Sequence, residues 1–175
     1  MRKMKNYVRT ILEWAGLIIV AWLISFAIRT FVFDTRIVPT GSMLPTIQLQ
    51  DRVIFDKLFY RFAPLERGDI IMFQPPKVSG ESDDLVKRIV GLPGETLEVR
   101  EGKVWINGKA LDETYLNQAP KYTYGPIEIP ENAYVMFGDN RNNSKDSHIW
   151  GILPKENIEG RVIIRYWPLN RFGKI

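Results

Sequence analysis

The chain contains no cysteine. That absence removes disulfide staples, thiol nucleophiles and thiolate metal sites together, while leaving the redox character of its compartment open. Histidine is nearly absent as well: His148 stands alone among 175 residues, so a metal cluster built on several imidazoles has no ligands, and neither metal nor cofactor is expected. Internal repeats and low-complexity stretches are also missing. What remains for chemistry is Ser, Thr, Lys, Asp, Glu, Tyr and the single His148. A composition of 45% hydrophobic and 25% charged residues is that of a globular chain, long enough for one domain and an appendage.

Excess charge is lacking everywhere except at the N-terminus. Residues 1–33 carry Arg2, Lys3, Lys5, Arg9 and Arg29 against Glu13, which accounts for the whole net charge of +4, and the remaining residues balance 19 basic against 19 acidic side chains. No basic face is left over for a nucleic acid, and none is expected as a partner.

The basic cluster precedes "WAGLIIVAWLISFAIRTFVF", residues 14–33, twenty residues with one charge. As a helix this run crosses the roughly 30 Å hydrocarbon layer of a bilayer. It is apolar all round, as a membrane span is, where a core helix of a soluble protein shows one apolar face. A cleavable signal sequence has a shorter apolar region and a small-residue cleavage site, and none precedes Arg36. Arg29 can snorkel to the headgroups at one end and Trp14 can serve the interface at the other. With the basic residues held inside, the expectation is a cytoplasmic N-terminus and anchor over residues 1–33, and an external domain over residues 34–175. The lipid bilayer is then a partner.

The external part reads as strand and turn. "DRVIFDKLF", "GDIIMF" and "GRVIIRYWPL" are short apolar runs, and "EVREGKVWINGKAL" reads as hairpins turning at Glu101-Gly102 and Asn107-Gly108. The domain is expected to be mainly β, with loops or insertions over residues 77–84 and 117–130.

Three stretches carry candidate chemistry. In "RIVPTGSMLPTI", Ser42 is bracketed by Pro39 and Pro45; a lone Gly-Ser between prolines is more often a turn than a nucleophile elbow, so by itself it does not mark Ser42 as reactive. A serine hydroxyl needs a base. His148 is one candidate. The other is Lys87 in "DDLVKRIVGLPGE", where alternation places it on one strand face with Leu85 and Ile89. Burial among them lowers a lysine pKa from ~10.4, although a lysine snorkelling from a strand edge fits the same pattern. The third stretch, "GDNRNNSKDSHIWG", has ten polar or charged residues in fourteen, enough to satisfy an Asx-rich turn and still position something else.

Together, in this order after a single anchor, "PTGSM", "KRIVGLPGE" and "GDNRNNSKDSHIWG" resemble the type I signal peptidases, membrane-bound serine proteases that remove signal peptides from exported proteins. The resemblance covers nearly the whole chain. It implies that Ser42 is the nucleophile and Lys87 the general base, that the Thr40 hydroxyl joins the Ser42 backbone N-H in an oxyanion hole, that Ser144 hydrogen-bonds and orients the lysine, and that Asp146 supports that region. Arg141 is read with Asp146 as supporting structure. The implied fold is a twisted β-sheet scaffold shared with the self-cleaving repressor proteases, with the substrate lying as an extended strand between residues 36–39 and 83–86. Ile37, Val38, Leu85 and Val86 then line pockets for small residues one and three positions before the cut. The substrates are preproteins bearing signal peptides. At His148 many bacterial members have arginine, and "DSH-x-WG" is similar to the cyanobacterial and thylakoid branch. The expected location is accordingly the plasma membrane, with a thylakoid membrane as the alternative. Two rivals remain: an inactive membrane-tethered β adaptor on the same scaffold, and a self-cleaving repressor, which would carry a DNA-binding module where this chain has a membrane helix.

Overall fold

The computed structural model describes residues 2–175. Helix α1 (Arg2–Phe31) comes first, and within it Thr10–Phe31 is long and apolar enough to cross a membrane, at about 33 Å. None of that window is buried against the rest of the protein. Arg2, Lys3, Lys5 and Arg9, expected to mark the inner end, have side chains outside the described residues. The helix stops two residues short of the apolar run's end, because Phe33 already pairs with Asp56 as the first residue of a strand.

The rest of the chain is mainly β: β1 (Phe33–Ile37), β2 (Arg52–Asp56), β3 (Ile70–Phe73), β4 (Leu85–Gly91), β5 (Thr96–Arg100), β6 (Lys103–Ile106), β7 (Lys109–Ala110), β8 (Tyr124–Glu128), β9 (Ala133–Phe137), β10 (Leu153–Pro154), β11 (Ile158–Trp167) and β12 (Gly173–Lys174). Every pairing among the described residues is antiparallel. The larger sheet runs β1-β2-β11-β3-β4-β9-β10, with β12 added on β11, and the smaller runs β7-β6-β5-β8. A four-residue helix, α2 (Ser147–Trp150), is the other α-helix among the described residues.

The two-residue period of the strands divides the core. On β3, Ile71 and Phe73 join one cluster with Ile89, Met136 and Leu153, while Ile70 and Met72 face a second cluster with Val38, Met43, Ile47 and Phe55. On β9, Val135 and Phe137 enter a third cluster that packs Leu97, Val99 and Val104 of the smaller sheet against the larger. The two hairpin turns fall where the sequence puts them, with positive φ at Glu101 and Gly102 and again at Asn107 and Gly108, as two-residue turns of the right-handed strand twist require.

One loop expectation needs correction. Residues 117–130 are not all loop, because β8 lies within them and pairs with β5 as an edge strand. Gly125 and Pro126 concealed it. Gly125 adopts φ +80 beside a register shift between Leu97 and Val99, and an edge or bulge is where a sheet tolerates proline.

Gly91 closes β4 against the smaller sheet, and a Cβ there would stand 2.9 Å from Val135 Cβ and 3.0 Å from Leu97 Cδ1, as well as against Ile129. Gly91→Ala is expected to lower stability by about 1–3 kcal/mol through overpacking, read as a lower thermal unfolding midpoint than wild type.

Candidate active site

Ser42 sits just past β1, in a segment fixed from three directions. Before it, Val38 is buried, and it donates to Asp51 O at 2.9 Å and accepts from Gln50 N at 2.9 Å. After it, Met43 and Ile47 are sunk in the core with Ile47 N bonded to Met43 O at 2.9 Å. From above, Asn140 donates its backbone N-H to Ser42 O at 3.0 Å and its side-chain Nδ2 to Gly41 O at 3.1 Å. The prolines thus bracket a real turn, and the turn presents one hydroxyl.

That hydroxyl accepts a hydrogen bond from Lys87 Nζ at 2.8 Å. Lys87 extends from the middle of β4, opposite Ile71 of β3, and is only 2% exposed. Its ammonium also donates to Val86 O at 3.1 Å. Burial pulls its pKa from 10.5 down to about 8, against the negative charges of Asp146 and Glu81, which raise it. A neutral lysine amine at this distance can take the serine proton. Thr40 Oγ1 stands 3.4 Å from Ser42 Oγ, on the same side of the turn. Of the two candidate bases, Lys87 is the one bonded to Ser42. His148 turns Nδ1 to Asp146 Oδ1 at 2.7 Å and stacks its ring on Tyr122, with centroids 4.1 Å apart.

The polar run that follows β9 holds this arrangement from behind. Asp146 is fully buried; it accepts from Gly138 N at 2.9 Å and His148 N at 3.2 Å, and so caps α2. Gly138 lies so close to the serine turn that a Cβ would stand 2.5 Å from Ser42 O and against Ser144, which is why only glycine fits. Ser144 Oγ is buried without a hydrogen-bond partner, so the bond to Lys87 implied for it is not formed in this structure; its side chain packs over Gly138 instead. Arg141 pairs bidentately with Glu113, at 2.8 and 2.5 Å, in a supporting position.

The sequence reading missed Arg88, Asp139 and Asn140. Arg88, next to Lys87 on the opposite face of β4, makes a buried bidentate pair with Asp139 at 2.8 and 2.6 Å, and Thr46 donates to the same carboxylate at 2.5 Å. Part of the signal was available: Arg88 shares its strand face with Val86 and Val90, and a cation there requires a carboxylate, although nothing local says which one.

Ile37, Val38, Leu85 and Val86 do converge, lining a hollow of about 380 Å³ that reaches Ser42. A second hollow of about 520 Å³ continues beyond Ser42 past Lys87, Ser144, Lys145 and His148. The two share Thr40, Ser42, Glu81 and Leu85 in their linings, and so adjoin as one groove at Ser42.

A family model described as signal peptidase, peptidase S26, matches residues 11–167. The chain belongs to the signal peptidase I family. It is 45% identical to "Probable signal peptidase I-2" of Synechocystis sp. over 167 residues, covering 94% of this chain and 77% of that one. It is 45% identical to signal peptidase I of Leptolyngbya laminosa over 158 residues, 87% of this chain and 78% of that one. Thylakoidal processing peptidase 1 of Arabidopsis thaliana is 37% identical over 153 residues, 83% of this chain but 45% of its own longer chain. These relatives bear out the cyanobacterial and thylakoid branch suggested by "DSH-x-WG".

A lysine ammonium held out of water penalises the folded state wherever it is protonated. Its folded pKa lies below its unfolded one, so stability is depressed below about 8 and recovers as pH rises through the window from about 8 to 10.5. Lys87→Met, close in shape and uncharged, is expected to stabilise the protein at pH 7 by on the order of 2–3 kcal/mol. The check is thermal unfolding of both proteins at pH 7 and pH 10, where the gap should narrow.

Proposed function

We propose that this signal peptidase I is a single-pass membrane endopeptidase that cleaves signal peptides from preproteins with a Ser42/Lys87 dyad. The observation carrying the reading is the 2.8 Å hydrogen bond between Ser42 Oγ and an amine that burial has brought to about 8. In the neutral form Lys87 takes the Ser42 proton as Oγ attacks the scissile carbonyl. The oxyanion is received by the Ser42 N-H and the Thr40 hydroxyl, and Lys87 returns the proton to the leaving amine. Water then hydrolyses the acyl-enzyme with the same base.

Ser144 is assigned the orienting of Lys87: it has an unpartnered hydroxyl on the wall that both residues line, and the ammonium has three donors with two engaged. Asp146 is assigned support of the region through Gly138 and His148. Ile37, Val38, Leu85 and Val86 receive the small side chains before the cut. Residues 1–33 are the anchor, in contact with lipid, and residues 34–175 the catalytic domain. The basic N-terminal residues support a cytoplasmic N-terminus and a catalytic domain on the outer side of the plasma membrane, or its thylakoid counterpart. No finding favours an inactive adaptor.

The deciding experiment uses the full chain in detergent with a precursor carrying a small-x-small site. Ser42→Ala and Lys87→Ala each abolish cleavage without unfolding the domain, and the double variant is no worse than either. Wild-type kcat/KM rises with pH along a limb centred near 8, as Lys87 loses its proton. Near-wild-type activity in either single variant, or a limb near pH ~6.5 that vanishes in His148→Gln, overturns the dyad.

For Thr40, the expected outcome is a fall in kcat of roughly a hundredfold or more in Thr40→Val with KM little changed, and retention of activity in Thr40→Ser. An active Thr40→Val enzyme assigns the oxyanion to the Ser42 N-H alone.

A further inference from the structure

The groove is electrically uneven along its length. On the side of the smaller hollow its wall carries Glu81, Asp83 and Asp84, with Arg36 as the opposing cation, held 3.0 Å from Asp34 and 3.8 Å from Asp84. On the side of the larger hollow the charged and titratable groups are Lys145, His148 and the buried Lys87, and the carboxylate present is again Glu81, which borders both hollows. Glu81 Oε1 accepts from Lys145 Nζ at 2.6 Å, so an ion pair links the segment before β4 to the polar run after β9 in the lining of the larger hollow.

On the peptidase reading above, a substrate whose signal-peptide end occupies the smaller hollow passes over Ser42 and leaves through the larger one. We propose that the larger hollow seats the first residues of the mature chain, and that Lys145 makes it selective for a peptide with an acidic side chain just after the cut. Lys145 is built for this: its side chain is 70% exposed, and Glu81 takes one of three ammonium donors, which leaves two for a substrate carboxylate. Ile149, 60% exposed on the same wall, supplies apolar surface for the substrate backbone to lie against. A basic side chain in that place meets Lys145 and finds Glu81 already paired. The pairing is open to solvent, so the discrimination is a factor of about five at most for each charge change, and it weakens as salt rises.

The test is kcat/KM for three quenched peptides, identical through the cut and differing only at the second position after it, as Asp, Ala or Lys. Full-length wild type in detergent at low salt is expected to rank them Asp above Ala above Lys, Lys145→Ala to flatten the ranking, and Lys145→Glu to reverse it. Preservation of the ranking in both variants, or equal rates for the three peptides in wild type, overturns the selectivity. Failure of wild type to cleave any of the three overturns the peptidase reading, and this inference with it.

Discussion

Removal of one ammonium from water is the constraint around which the site is arranged. Lys87 lies in the central part of the larger sheet, paired with Ile71 and flanked on its face by Leu85 and Ile89, and its charge has two neutral acceptors, Ser42 Oγ and Val86 O. Among the described residues no carboxylate is hydrogen-bonded to it. Asp146 and Glu81 act on it only through space, and each has a nearer cation or donor: Asp146 takes Gly138 N and His148, and Glu81 takes Lys145. Desolvation therefore wins over attraction, and the amine is left close to the pH at which it can change state. A closer carboxylate would stabilise the fold and raise the amine out of that range.

The neighbouring residue shows the other solution to the same problem. Arg88 is also buried on β4, facing the opposite way, and it is neutralised by a bidentate Asp139. Removing one member of such a pair strands the other, at about 3–5 kcal/mol. The pair does more than balance charge. Asp139 lies between Gly138, which lets the chain approach Ser42 O, and Asn140, which holds Ser42 O and Gly41 O by two hydrogen bonds. Through Arg88 the strand that carries the lysine is tied to the segment that carries the serine. Two adjacent cations are thus handled differently: Arg88 is paired and ties the two segments together, and Lys87 lacks a hydrogen-bonded carboxylate and is the one proposed to supply reactivity.

Much of this was legible from residues alone. The hairpins announced themselves at Glu101-Gly102 and Asn107-Gly108 because two-residue turns demand those types, and the alternation around Lys87 placed it on its apolar face. Two kinds of feature were hidden. Strand β8 was masked by Gly125 and Pro126, whose local preference argues against a strand until an edge position and a register shift accommodate them. Pairings between distant residues, such as Arg88 with Asp139 or Arg141 with Glu113, have no local period to betray them. The Ser144 hydroxyl illustrates a further limit, since a motif names the residue while its rotamer depends on packing over Gly138.

The joint between α1 and the sheet bears on where a cut can occur. Lys57 N donates to Val32 O at 2.9 Å and Lys57 Nζ to Thr30 O at 3.2 Å, and the ring of Phe33 packs near that of Phe59 at 6.3 Å. The helix end is therefore secured to β2 as well as continued by β1, so the two do not swing independently about a free linker. Eleven residues on from the helix end, Ser42 lies within at most about 40 Å of it, and less because β1 is followed by a turn. If α1 spans the bilayer as proposed, the hydroxyl sits at a restricted height above the surface at which a signal peptide's end emerges. On the function proposed above, the groove then discriminates twice, by the hollow assigned to the side chains before the cut and by the distance from the membrane at which the serine is held.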